Sequence, residues 1–210
     1  MDLLTFKLIL VLALFLLSLT IAAYSTWAER KVAAIMQDRI GPNRSGPFGL
    51  LQPLADGGKF FFKEDFTPAN AERFLFVLGP ALVMFISLIT GAVIPWGKTL
   101  NFGGISYDLQ VANIDVGVLF IIGMASIGVY GIMIGGWASN NKYALLGALR
   151  GASQMIAYEV FMGLSLMGVV MLTGSFRLTD IVAAQQDMWF IVKQPVGAII
   201  FFIAGIAETH

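Results

Sequence analysis

LLTFKLILVLALFLLSLTIAAY, residues 3–24, carries one charge, Lys7, in an otherwise apolar run. A helix of that length reaches about 33 Å, enough to cross a hydrocarbon core of roughly 30 Å. Three more stretches of comparable length and apolarity follow at residues 74–94, 116–137 and 152–173, and a fifth, 196–210, is truncated. The pattern predicts an all-α fold: a polytopic membrane helix bundle forming one membrane domain over residues 1–210. All four tryptophans, Trp27, Trp96, Trp137 and Trp189, fall at span ends. An amphipathic indole prefers the lipid–water interface, so their positions support the span boundaries.

Composition leads to the same class. The chain is 58% hydrophobic, with a mean hydropathy of +0.81, against an apolar share of about 45–50% in soluble domains. The first run is too long for the core of a cleavable signal and lacks a small-residue cleavage site, so it reads as a retained helix with Lys7 snorkelling outward. In the fifth span only residues 196–207 are apolar before Glu208. They would cover about 18 Å. Ending there would leave carbonyls and a terminal carboxylate in hydrocarbon, at several kcal/mol each. The expectation is a longer polypeptide, or a terminus that opens into a water-filled cavity.

Charge is segregated along the chain. Residues 29–73 hold seven of the thirteen Lys and Arg and six of the thirteen acids. The loops after spans one and three, residues 25–73 and 138–151, carry nine of the basic residues, against four on the opposite side. Positive-inside bias then puts those two loops in the cytoplasm and the amino terminus outside. With no Cys and a single histidine, His210, the chain cannot supply the ligands of an iron–sulfur cluster or a bis-histidine haem. No phosphate-cradling glycine motif follows a strand signal, and no nucleic-acid partner is expected.

Within the first loop, residues 48–63 read FGLLQPLADGGKFFFK. Gln52, Asp56, Lys59 and Lys63 recur at helical spacing, which predicts an amphipathic helix lying in the membrane interface. It would either anchor the loop in lipid or line a ligand site. Pro53 and the Gly57–Gly58 pair oppose helix by about 1–3 kcal/mol, unless Pro53 sits in the first turn. The preceding RIGPNRSGPFG, residues 39–49, is rigid turn chemistry that shapes a surface.

Glu159 lies about eight residues into the fourth span. An ionisable group at that depth faces protein or water and marks an ion or proton route, because desolvation disfavours the charged carboxylate. Ala152 and Gly163 on its helix leave room for a close helix or for water. The plainer reading is a protonated Glu bonding between two helices. Glu208 repeats the pattern in the fifth span, so the pair suggests a relay. Arg150, Gln154 and Tyr158 form a polar stripe leading into the same span, although helix-end snorkelling also accounts for Arg150. Asp108 and Asp115 carry no assigned chemistry.

Four strings resemble the H subunit of bacterial NADH:quinone oxidoreductase, whose mitochondrial counterpart is subunit one of respiratory complex I. They are AERK (28–31), DRIGPNRSGPFGLLQPLADGGKFFFKED (38–65), WASNNKYALLGALRGASQMIAYE (137–159) and AGIAET (204–209). The resemblance implies a membrane subunit of the cell inner membrane that walls a quinone chamber and couples quinone reduction to proton translocation. Glu29, Arg30 and Asp56 would belong to the chamber, and Glu159 and Glu208 to the proton path. Quinone would be the substrate. NADH, flavin and iron–sulfur clusters would sit on partner subunits, among them the hydrophilic quinone-site subunits, with the membrane-arm subunits beside this chain. The family pattern continues past AET with Asn-Arg and a charged loop, where this sequence has His210. A homologous subunit of a hydrogenase or formate hydrogenlyase is the nearest alternative. An ion-coupled secondary transporter would differ in class, and the inverted repeat it calls for is not visible.

Overall fold

The computed structural model of the chain describes residues 3–102 and 105–209, leaving His210 outside the described residues. It divides into two compact units, Met1–Phe66 and Thr67–His210.

The first unit holds α1 (Leu3–Met36), a 3-10 turn (Pro47–Gly49) and α2 (Gln52–Phe62). At 34 residues α1 spans about 51 Å, well beyond a bilayer core. It continues past residue 24 because residues 25–36 contain neither Gly nor Pro. Hydroxyls along it are satisfied internally, as a helix in lipid requires. Ser18, Thr20 and Ser25 donate to the carbonyls of Leu14, Leu16 and Ile21 at 2.7–2.8 Å. The helix stops in a Schellman turn, where Asp38 N donates to Ile35 O at 3.3 Å and Arg39 N to Ala34 O at 2.9 Å. Asp38 takes the left-handed conformation this turn needs, φ 49°. That role usually falls to glycine, and Asp is among the few other residues that tolerate it.

The second unit contains α3 (Arg73–Thr90), a hairpin of β1 (Thr99–Phe102) and β2 (Ile105–Asp108), α4 (Gly117–Ala138), α5 (Lys142–Thr173), α6 (Leu178–Ala183), α7 (Phe190–Lys193) and α8 (Pro195–Thr209). The antiparallel hairpin, with Thr99 opposite Asp108, was not foreseen from the sequence. Four helices, α1, α3, α4 and α5, are long and apolar enough to cross a membrane, and the shorter α8 is also apolar. The protein is thus an all-α polytopic membrane protein.

Within this unit α4 packs against α3 and α5, and α5 packs against α8. The α3–α4 crossing depends on missing side chains, as is common where helices associate in lipid. A Cβ on Gly79 would lie 2.8 Å from Gly131 O, and one on Gly131 would lie 2.5 Å from a Val83 methyl. The helices that follow the two basic loops start with side-chain caps. Glu72 accepts from Leu75 N at the start of α3, and Asn141 accepts from Tyr143 N at the start of α5. Glu72 N also donates to Ala138 O at 3.0 Å, tying the start of α3 to the end of α4. At the other end Val118, Val170, Ile181 and Phe190 form a buried apolar cluster beneath α6 and α7. There Arg177 pairs with Asp115, which raises the guanidinium's affinity for its proton.

Candidate functional site

Two groups of polar residues stand out, one in each unit. In the first, α2 begins with Pro53 in its opening turn, where the missing N–H costs nothing. The helix then presents Gln52, Asp56 and Lys59 on one stripe. Lys63 is extended, φ −82° and ψ 137°, and terminates the helix. Asp56 is the centre of the stripe. Arg30 Nη1 of α1 donates to its Oδ2 at 2.6 Å, while Lys59 Nζ and Gln52 Nε2 donate to Oδ1 at 2.8 and 3.2 Å. The Lys59 and Arg30 hydrogen bonds lower the Asp56 pKa from 3.8 to about 2, so this carboxylate stays charged. Glu29 is exposed and lies outside the group that surrounds Asp56. Glu29 and Arg30 are seven and six residues from the end of α1, because that helix outruns the apolar span.

The collar before α2 is held by backbone geometry. Gly46, Phe48 and Gly49 all have positive φ, and Leu51 N reaches back to Ser45 O at 3.0 Å. A Cβ on Gly49 would fall 2.2 Å from Pro42 O, so only glycine fits. Trp27 Nε1 on α1 donates to Phe48 O at 3.4 Å, fastening the collar to the helix. Beyond Asp56 the α2 surface is apolar and open. Phe61 and Phe62 are 90% and 93% exposed, as suits a helix lying against lipid.

In the second unit Glu159 is 7% exposed, midway along α5. Its Oε2 is 2.9 Å from Ser126 Oγ of α4, and its Oε1 is buried without a hydrogen-bond partner among the described residues. Among the described residues it makes no ion pair. An open cavity of about 720 Å³ runs beside it, lined in part by Ile122, Ser126, Tyr130, Gly163 and Met167. Ala152, seven residues earlier on the same helix face, is also buried. Glu208 is half-buried on α8, which packs against α5. The two carboxylates thus lie on neighbouring helices, α5 and α8. Arg150 is exposed near the start of α5.

Two polar residues escaped the sequence reading. Ser126 is the one serine of an apolar span, indistinguishable by pattern from hydroxyls that bond back to their own helix. Gln194, just ahead of α8, wedges into space left by two glycines. A Cβ at either Gly168 or Gly197 would meet its Nε2 at 2.1 Å. That nitrogen lies 3.2 Å from Ser165 O, which seats α8 on α5. No group of three His, Cys, Asp or Glu among the described residues is placed to hold a metal ion.

Known bacterial proteins are similar to this chain along nearly all of its length. One of them, an H subunit of the NADH-quinone oxidoreductase of Cytophaga hutchinsonii, is 58% identical over 205 residues, which cover 97% of this chain and 60% of that protein. The H subunit of the NADH-quinone oxidoreductase of Flavobacterium psychrophilum is 55% identical, with the same coverage. An H subunit from Geobacter metallireducens is 56% identical over 195 residues, 93% of this chain and 59% of the relative. The chain spans about 60% of the length of these curated relatives. The family model described as NADH dehydrogenase matches residues 8–210, and with nearly its whole length inside that match, the chain belongs to this family.

Proposed function

We propose that this chain serves as a membrane subunit of NADH:quinone oxidoreductase, forming part of the quinone chamber and coupling quinone reduction to proton translocation. It is not catalytic alone. The flavin and iron–sulfur chemistry that delivers electrons from NADH would belong to partner subunits, and quinone would be the substrate. Loops 25–73 and 138–151 face the cytoplasm in this reading, and the amino terminus faces outward, across the cell inner membrane.

Each named residue has a part. Arg30 and Lys59 hold Asp56 charged, and with Glu29 these residues supply the polar wall of the chamber. Negative charge developing on reduced quinone changes the potential at nearby carboxylates, strongly so where the dielectric is low. Glu159 and Glu208 carry the protonic response. The observation that carries the proposal is Glu159, a carboxylate with one oxygen unpartnered, in the interior of a helix long enough to cross a membrane. An unsatisfied buried carboxylate costs free energy, and intramembrane ionisable groups mark proton routes.

The test is Glu159→Gln in the assembled complex. Coupled NADH:quinone activity and proton translocation should both fall. NADH oxidation by an artificial acceptor, which needs only the electron-delivering partners, should stay intact. Unchanged translocation by the variant would sink the role proposed for Glu159.

A further inference from the structure

We propose that Ser126 is the positioning residue for Glu159, holding one carboxyl oxygen in both protonation states so that the proton is taken up and released at the other, Oε1. The inference rests on the function proposed above and adds to it the residue and the atom involved.

A serine hydroxyl has one proton to donate and two lone pairs to accept with. Ser126 Oγ has two acceptors in reach, Glu159 Oε2 at 2.9 Å and Ile122 O at 3.1 Å. One proton cannot serve both well. When Glu159 is charged, its oxygen is the stronger acceptor, and Ile122 O already receives a backbone bond from Ser126 itself. The hydroxyl then points at Oε2. When Oε1 gains a proton the carboxyl becomes neutral, and Oε2, now a carbonyl oxygen, still accepts from the hydroxyl, because Ile122 O already has its backbone bond. Only the Oε1–H bond forms or breaks, with the proton exchanged with water or another carboxyl group. Glu159 need not change rotamer, because the Ser126 hydroxyl stays on Oε2 throughout.

The surroundings suit this exchange. Oε1 has no hydrogen-bond partner to release before it takes a proton. Tyr130 of α4 lines the same cavity as Glu159 and Ser126, and Glu208 lies on α8, which packs against α5. Neither occupies the hydrogen-bond position that Ser126 fills.

Ser126→Ala and Ser126→Thr, each in the assembled complex, separate this role from simple packing. Ser126→Ala removes the hydroxyl and should slow proton translocation by about tenfold, the usual effect of losing a hydrogen bond to a charged group. Its protonated-carboxyl infrared band, assigned by its absence in Glu159→Gln, should move to higher frequency. Ser126→Thr keeps the hydroxyl, and its methyl can enter the cavity, so both readouts should return towards wild type. The double variant Ser126→Ala/Glu159→Gln should be no worse than Glu159→Gln alone. If Ser126→Ala translocates normally with an unmoved band while Glu159→Gln fails, the inference falls and the proposed function stands. Equal impairment in Ser126→Ala and Ser126→Thr would also overturn it. A harmless Glu159→Gln would instead remove the proposed function.

Discussion

Asp56 and Glu159 carry the same chemical group and meet opposite treatment. Asp56 accepts three side-chain hydrogen bonds, two of them from cations, and both of its oxygens are occupied. Glu159 has one neutral hydroxyl for one oxygen and nothing for the other. A carboxylate held by cations is a fixed charge, useful for orienting or attracting a ligand. One buried beside a neutral hydroxyl has no counter-charge to fix it. The contrast teaches that an acid's part in this protein follows from its neighbours, and that charge density along the sequence is a poor guide to where protons move. The loop 29–73 is far richer in charge than the fourth span, yet the group we propose to exchange a proton lies in the span.

The contrast can be broken by substitution. Glu159→Gln carries the largest expected effect, about a hundredfold or more on coupled translocation, the scale of a positioned proton-transfer group. Asp56→Asn in the same assay should be much milder, because it removes a fixed charge and leaves Glu159, the group proposed to exchange a proton, intact. Equal losses would erase the distinction between the two sites.

Gly131→Leu comes next. Its side chain would meet Gly79 O and Val83 where α3 and α4 cross, at a cost of about 1–3 kcal/mol or more. Lower thermal stability of the purified protein, with the conformation around Ser126 on the same helix disturbed, is the expected result. Wild-type stability would show that the crossing is looser than described.

Acid titration should produce the smallest effect. The folded value of Asp56, about 2, lies below the ordinary 3.8, so its ion pairs contribute fully above the ordinary value and are lost as pH falls through the folded one. Trp27 is bonded to the collar that precedes α2, and its fluorescence should hold steady through neutral and mildly acidic pH and change only within that acid window. Arg30→Ala should narrow the window from below. A transition near neutrality would contradict the assignment.

The long apolar runs made the membrane architecture legible, because a bilayer imposes a length and a polarity that sequence displays directly. Helix ends were less legible. Residue 24 ends the apolar run of α1, but the helix ends at Met36, where Asp38 adopts an unusual conformation. Hydrophobicity reports the lipid boundary, and backbone hydrogen bonding sets the helix boundary. The spacing of Gln52, Asp56 and Lys59 revealed the α2 stripe, but its Arg30 partner is 26 residues away and leaves no periodic trace. Glu159 was visible as a charge out of place. Ser126 was not, since its significance comes only from a contact across two helices, 33 residues apart.

The most direct test of the central claim is the infrared difference spectrum of the assembled complex across quinone reduction, wild type against Glu159→Gln. The account predicts a protonated-carboxyl band that changes on reduction in the wild type and is missing from the variant. Identical difference spectra in the carboxyl region would show that Glu159 does not exchange a proton, and would contradict the account.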